Sequence, residues 1–401
     1  MAGGRTLSYA ELDAAATRAA RRLAARGVGP GDLVATALGP GPAFAELLHA
    51  LPRLGAVLAP LDPAAPAPVD VRLTVGASLA GAEAEIRPPV EIDPGATHSV
   101  IHTSGTTGAP KAVELSYGNL AASAAASADA LGVEPHDRWL CPLPVSHVGG
   151  MSVLVRCAIN ATTALLHERF DPERVKAALE AGEATLVSLV PTMLARLRAA
   201  GLCSAPGLRA IVLGGGPIPP GLLDWAAEAG LPVTPVYGMT ETASQIAAGI
   251  PARPLRGVEL EIAADGEILV RGPMVAAAEL DAEGWLHTGD RGRLDASGRL
   301  HVEGRIKEII VTGGENVSPL EVEEALLAHP AVADAAVAAR PDPEWGETVT
   351  AFVVARGPSP DELRDWCRGR LARHKVPKRI EIVDALPRNS AGKLVRGRLP
   401  A

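Results

Sequence analysis

The hydrophobic and polar positions of this chain change rhythm twice, and those changes mark out its organisation. Ser8-Tyr9-Ala10-Glu11 places a serine at a helix N-cap and a glutamate three residues on; the Ala/Arg-rich amphipathic run behind it predicts a helix that stops at Gly27. Residues 32–38 read as a strand, about 42–54 as a helix, and 59–70, rich in Pro and Ala, as a loop. The apolar run Ser99-Val100-Ile101 leads as a strand into a Thr/Gly-rich loop, and Ser116 is placed to cap the helix that leaves it. The pattern then becomes periodic. Strands at 163–166, 185–190, 209–213 and 233–236 alternate with helices that begin at Asp171-Pro172, follow Pro191, and span 219–229. This alternation predicts α/β layers with largely parallel sheets.

From Gly257 the rhythm changes again. Residues 258–270 set Asp265-Gly266 between alternating apolar residues, and 293–302 repeat the design around Ser297-Gly298, which predicts a small antiparallel β unit. After Gly304 come a helix capped at Ser318-Pro319-Leu320-Glu321, strands near 331–338 and 348–355, and a helix over about 360–372. There is no internal repeat and no low-complexity linker. The expected division is a large domain over 1–304 and a small one over 305–401.

Composition narrows the function classes. A length of 401 residues suits two domains by the usual range of roughly 100–200 residues each. With aromatic residues at only 3%, Ala, Val and Leu must fill the core. The net charge of −8 argues against a general nucleic-acid binder. From Arg305 onward there are 15 basic and 14 acidic residues, so the rest of the chain carries −9; within 364–398 the balance is 11 basic to 3 acidic. A basic tail on an acidic body is either solvated surface or a lid that meets an anionic ligand. Cys141, Cys157, Cys203 and Cys367 show no paired spacing and the ten histidines form no ligand-like cluster, which fits free thiols in a reducing cytoplasm. No apolar run approaches the ~20 residues of a membrane span, and Arg, Glu and Asp stand where a signal peptide would be apolar. A cytoplasmic protein without membrane anchor is expected, with a homo-oligomer left open.

The candidate chemistry starts at His102-Thr103-Ser104-Gly105-Thr106-Thr107-Gly108-Ala109-Pro110-Lys111. Such a backbone can turn N–H groups and hydroxyls toward a phosphate, and Lys111 adds charge. Alone it reads sooner as a flexible turn, and it lacks the ending of a Walker loop. Five further segments join it. Gly214-Gly215-Gly216-Pro217 lies between a strand and a helix, where backbone can approach a flat ligand. Tyr237-Gly238-Met239-Thr240-Glu241-Thr242 offers an aromatic face, hydroxyls and a carboxylate. Trp285-Leu286-His287-Thr288-Gly289-Asp290 sets an acid beside a Gly turn, suited to a ribose diol. Gly304-Arg305-Ile306-Lys307-Glu308 marks the boundary, and Asn389-Ser390-Ala391-Gly392-Lys393 puts a lysine on a Gly loop.

Together, and in this order over essentially the whole chain, these motifs resemble the adenylate-forming superfamily of acyl-CoA synthetases, nonribosomal adenylation domains and firefly-type luciferases. The resemblance implies a large N-terminal α/β domain of layered sheets and helices with a small β unit, and a small mobile α+β C-terminal domain. It implies ATP, Mg²⁺ and CoA, and a small-molecule carboxylic acid converted to a thioester by way of an acyl-AMP. By motif match, Thr103, Ser104, Gly105, Thr106, Thr107, Gly108 and Lys111 hold the β/γ-phosphates. Gly214, Gly215, Gly216, Pro217, Tyr237, Gly238 and Met239 frame the adenine; Asp290 and Arg305 take the ribose. Thr240 touches the α-phosphate, Glu241 holds Mg²⁺, and Lys393 bridges the acyl carboxylate and α-phosphate. Lys307 is the hinge of a domain rotation that brings Gly313 and Gly314 to the pantetheine path. In isolation Tyr237 reads also as core and Arg305 as a boundary ion pair.

Two positions depart from the family pattern: Ala112 follows Lys111 where glycine is usual, and Tyr117 stands where many members have histidine. The region between Asp62 and Thr97 is also short. The segments 237–246, 142–156 and 190–194 resemble the o-succinylbenzoate–CoA ligase branch of the superfamily, in menaquinone biosynthesis. Arg156, Gly149 and Ser188 are then candidates for the acid, with Arg156 pairing its second carboxylate or else facing solvent on a helix. His147 is either a gate between acyl pocket and CoA tunnel or a satisfied core histidine. Another aryl or medium-chain acid, or a carrier protein in place of CoA, are the alternatives. The sequence contains no carrier domain, and Lys393 and Glu241, which a non-catalytic relative should have lost, are both present.

Overall fold

The structure, a computed structural model, describes residues 6–62, 71–76, 79–86, 92–104, 110–388, 392 and 394–400. Gly105, Thr106, Thr107, Gly108, Lys393 and most of the expected Pro/Ala loop lie outside them. Helix α1 (Tyr9–Ala24) begins with the expected capping box: the Glu11 N–H donates to the Ser8 hydroxyl at 3.2 Å and the Ser8 N–H to the Glu11 carboxylate at 2.7 Å. There follow β1 (Leu33–Thr36), α2 (Pro42–Ala50), β2 (Val57–Pro60), β3 (Leu73–Val75), β4 (Thr97–Ser104) and β5 (Pro110–Ser116), forming one sheet in the order β3-β1-β2-β4-β5. Residues 59 and 60, expected in a loop, end β2.

Strand β5 corrects the expectation that a helix leaves the Thr/Gly stretch directly. Val113 and Leu115 are buried while Lys111, Ala112 and Glu114 are exposed, a period of two that pairs with β4 antiparallel. Ala112 lies opposite His102 in this ladder, where extended backbone suits any residue, so the missing glycine costs nothing here. Ser116 does cap the next helix, α3 (Tyr117–Leu131), exchanging hydrogen bonds with Asn119 at 3.0 and 2.9 Å.

The second sheet is built from β6 (Arg138–Cys141), α4 (Val148–Ile159), β7 (Thr163–Leu166), α5 (Pro172–Glu180), β8 (Leu186–Leu189), α6 (Pro191–Ala199), β9 (Ala210–Leu213), α7 (Pro220–Glu228), β10 (Val233–Met239), β11 (Ser244–Ala248) and β12 (Arg253–Pro254). Its order is β12-β11-β10-β9-β8-β6-β7, with β10, β9, β8, β6 and β7 parallel and β11 and β12 antiparallel. The chain steps from β6 out to β7 and then returns past β6 to β8, β9 and β10. In such sheets ligands bind outside the carboxyl ends of the strands where the connections reverse.

The two expected hairpins form one antiparallel meander, β13 (Glu259–Ile262), β14 (Glu267–Arg271), β15 (Leu286–Leu294) and β16 (Leu300–Arg305). The C-terminal unit has β17 (Ile310–Thr312), β18 (Glu315–Val317), α8 (Pro319–Leu327), β19 (Val332–Asp342), β20 (Gly346–Ala355), α9 (Pro360–Arg368) and β21 (Arg379–Ile382). Its own core gathers Val322, Leu326, Val337, Val353 and Leu363. Ser318 precedes α8 but does not cap it. Its hydroxyl donates to the Glu303 carbonyl at 2.7 Å, tying the unit to β16. Among the described residues no helix is long and apolar enough to cross a membrane.

Two buried histidines, His98 and His49, make this fold acid-sensitive. His98, on β4 beside Tyr117, is 3% exposed and its Nδ1 has no partner. Burial, with a smaller push from His49, lowers its pKa to about 4. Unfolded, the ring takes a proton near pH 6.5, so the unfolded state binds more protons between pH 6.5 and 4 and stability falls as pH drops through that window. The expected loss from His98 alone is about 2 kcal/mol between pH 7 and 5. Urea unfolding at both pH values measures it: His98→Gln should remove this share of the loss and leave the share of His49, whose pKa burial also lowers to about 4.

Candidate active site

The carboxyl ends of β6, β8, β9 and β10 deliver four of the expected segments to one edge of the second sheet. His147 stands half-buried at the N-cap of α4, beyond β6, with Gly149 in the first turn. Val190 and Thr192 open α6 beyond β8. Gly214, Gly215, Gly216 and Pro217 follow β9, and Gly214 lies so close to β10 that a Cβ would sit 2.6 Å from a Val236 methyl. Thr240 and Glu241 begin a short helical turn, Thr240–Thr242, at the end of β10.

Strand β10 runs to Met239, further than its apolar residues alone predict, because β11 pairs with Tyr237, Gly238 and Met239. A Cβ at Gly238 would lie 2.0 Å from the Ser244 carbonyl oxygen, so only glycine fits. The turn between them is held by Thr242, whose hydroxyl accepts the Met239 N–H at 3.1 Å and donates to the Ser244 carbonyl at 2.7 Å. Ala243 and Ser244 take positive φ of 50° and 112° there. Strain of this kind in non-glycine residues collects at functional sites.

Tyr237, Asp290 and Arg305 are brought together. The Tyr237 hydroxyl donates to Asp290 Oδ2 at 2.7 Å, Arg305 Nε pairs with Asp290 Oδ1 at 2.7 Å, and Asp290 and Arg305 face each other across β15 and β16. Burial first, then the Asp290 charge, raises the Tyr237 pKa well above its ordinary range, so the phenol stays a neutral donor. Asp290, itself 6% exposed, is thus oriented from two sides. The residue before it corrects the sequence reading: Gly289 makes no terminal turn but lies inside β15 with φ +68°, its N–H donating to Glu267 at 2.7 Å.

Thr103 and Ser104 end β4 opposite Lys111 and Pro110, with the Thr103 hydroxyl 3.4 Å from the Lys111 carbonyl. The half-exposed Lys111 ammonium lies 4.0 Å from Glu241 and makes a close ion pair with Glu279. Glu279 has no sequence signal; it sits in an Ala-rich run. The Glu241 carboxylate suits Mg²⁺, which is usually held by one or two carboxylates together with substrate phosphates and water.

On the acyl side, Arg156 does not face solvent. It is 3% exposed, with Nη2 3.4 Å from the Ser123 hydroxyl and the guanidinium carbon 5.6 Å from the centroid of the Trp139 ring. Trp139 in turn donates its indole N–H to Ser188 at 2.9 Å. The Ser123 hydroxyl donates to the Ala243 carbonyl at 2.9 Å, so Arg156 lies one side chain behind the Thr240–Thr242 turn. Lys307 is exposed on the turn Ile306–Glu308, and Gly313 and Gly314 join β17 to β18, with Gly313 against the Trp345 ring. No hydrogen bond or ion pair among the described residues links these three to the strand-end cluster. Gly392 does reach it: a Cβ there would lie 2.8 Å from the Thr192 hydroxyl.

Comparison with known proteins places these features in a family context. The AMP-binding enzyme model matches residues 1–69 and 69–278, and the AMP-binding enzyme C-terminal domain model matches 321–393. A 2-succinylbenzoate–CoA ligase of Geobacillus kaustophilus is 40% identical over 99% of this chain and 93% of its own. Two solved structures of o-succinylbenzoate coenzyme A synthetase from Bacillus subtilis are similar throughout. The complex with the acyl-adenylate intermediate has a TM-score of 0.91 at 36% identity, covering 100% of this chain and 94% of that one. The complex with ATP and magnesium ion has a TM-score of 0.90 at 35% identity, covering 99% and 95%.

Proposed function

The chain belongs to the AMP-binding enzyme family, and from that premise we propose that it is an ATP- and CoA-dependent acid–thiol ligase that makes 2-succinylbenzoyl-CoA for menaquinone biosynthesis. A substrate carboxylate oxygen attacks the α-phosphorus of ATP; the bond to the β-phosphate breaks, giving acyl-AMP and pyrophosphate. The CoA thiolate then attacks the acyl carbon and AMP leaves. The first step joins two anions, so it calls for charge neutralisation and alignment more than covalent help.

In this reading Tyr237 and Gly214–Gly216 with Pro217 border the adenine, and the Asp290 carboxylate, oriented by Tyr237 and Arg305, accepts from the ribose diol. Thr240 donates to the α-phosphate. Thr103, Ser104 and Lys111 bind the outer phosphates. Glu241 would hold Mg²⁺, which when bound neutralises phosphate charge and draws its oxygens into line. Lys393 spans the acyl carboxylate and the α-phosphate, and Arg156 takes the second carboxylate of the acid. The small domain, 305–401, turns about Lys307 between the two steps, bringing Gly313 and Gly314 to the thiol path past His147.

The observation that supports this reading is that the short segment 237–241 carries both the Tyr237–Asp290–Arg305 chain, at Tyr237, and the Glu241–Lys111 contact, at Glu241. The test is ATP–pyrophosphate exchange dependent on 2-succinylbenzoate, followed by thioester formation with free CoA. Exchange with none of a panel of aryl and medium-chain acids, 2-succinylbenzoate included, would overturn it.

A further inference from the structure

The phosphate side of the site sets one cation between two carboxylates. The Lys111 side chain is 50% exposed, whereas those of Glu279 and Glu241 are 12% and 19% exposed. Glu279 is delivered there by a fastened segment. Asn119 Nδ2 donates to the carbonyls of Pro273 and Val275 at 2.9 and 2.8 Å, and the Ala276 N–H donates to the Glu241 carbonyl at 2.8 Å. The Glu279 N–H then closes a turn on the Ala276 carbonyl at 3.0 Å. Lys111 can swing on its flexible stem, while the two carboxylates share one frame.

A site that only had to grip a polyphosphate would gain nothing from Glu279. Its charge repels phosphate oxygens, and it occupies the ammonium that they need. Those costs become useful once the α–β bond is broken, because pyrophosphate must then leave. We propose that Glu279 is a positioning residue that competes with pyrophosphate for Lys111, taking the ammonium back after adenylation and so lowering the affinity for the leaving group. This rests on the adenylating reading above. In the empty site Lys111 stays on Glu279; Mg·ATP draws it to the outer phosphates; its return to Glu279 frees pyrophosphate.

Binding of pyrophosphate and of Mg·ATP to the full chain, measured by calorimetry without any acid, tests the idea. Glu279→Gln keeps the shape and removes the charge. It should tighten pyrophosphate binding about five- to tenfold, the scale of a partly exposed charge pair with one partner freed. Lys111→Met should weaken it, and Glu279→Gln should add little in the Lys111→Met background, since the two act through one pair. In turnover, product inhibition by pyrophosphate should strengthen by the same factor in Glu279→Gln. Unchanged or weaker pyrophosphate binding in Glu279→Gln, or an equal gain with Lys111 already replaced, would overturn the proposal. Failure of the wild-type chain to bind Mg·ATP at all would instead count against the adenylating reading.

Discussion

Replacing Lys393 with alanine is expected to lower acid-dependent ATP–pyrophosphate exchange by about a hundredfold to a thousandfold, the scale of removing one preorganised charge partner from a developing anion. Thioester formation from supplied 2-succinylbenzoyl-AMP should change by no more than about threefold, because an interaction made only in one transition state affects only that step. Adenylation presses a carboxylate against a phosphate, and a cation shared between them is the simplest way to lower that barrier. Thiolysis expels AMP from an acyl carbon and brings no second anion to the phosphorus. The neighbouring residue gives the assignment a physical setting. Gly392 takes φ +78° against Thr192 at the start of α6, and so lies at the edge where the acid is proposed to bind. Arg388 holds the Gly392 carbonyl at 2.9 Å and pairs with Asp334 of β19 at 2.7 Å, which ties this segment to the small domain. The two half-reactions are measured separately, and equal loss of both would remove Lys393 from the role.

What the sequence revealed and what it concealed follow the range of the interactions involved. The Ser8, Ser116 and Asp171 caps act within three residues and were legible. Ser318 has the same local pattern, but its hydroxyl is taken by Glu303, fifteen residues back in the chain, and no cap forms. Glycine punctuates turns and bulges alike, so Gly289 could be read as a turn until the pairing of β14 with β15 placed it inside a strand. The alternation of Val113 and Leu115 announced β5, yet it was overshadowed by the Thr/Gly loop before it and the cap after it. In the site, Tyr237, Asp290 and Arg305 were each recognisable by motif. Their hydrogen-bonded chain depends on three strands from two sheets, and no spacing encodes it. Glu279 is the extreme case: its position comes from the Asn119 amide acting more than 150 residues away in sequence. Arg156 lay between these cases. Helix α4 buries Met151 through Cys157 without interruption, and a helix that is apolar all round has no solvent face for an arginine.

That burial makes Arg156 the sharpest test of the acid's identity. Arg156→Met is expected to lower kcat/KM for 2-succinylbenzoate about a hundredfold, the usual scale for truncating one member of a buried charge pair. For an aryl acid lacking the second carboxylate, kcat/KM should be unchanged within about twofold. The argument rests on the missing counter-charge. Among the described residues Arg156 makes no ion pair; it has one long hydrogen bond, the face of Trp139, and a buried Nε with no partner. Burial pushes its pKa down to about 10, which still leaves a cation at neutral pH. A desolvated cation without an anion costs several kcal/mol, and neither an aromatic face nor one hydroxyl offsets that. A substrate carboxylate would complete the pair through the planar fork of the guanidinium. Arg156→Lys, with a compact ammonium in place of the fork, should therefore recover only part of the loss. A residue needed merely for packing would behave differently. Methionine would then depress turnover of both acids alike and lower the melting temperature. Removal of an uncompensated buried charge should instead leave the empty enzyme as stable as before, or more so. Kinetics with the two acids, read beside thermal unfolding of the unliganded protein, separate these outcomes.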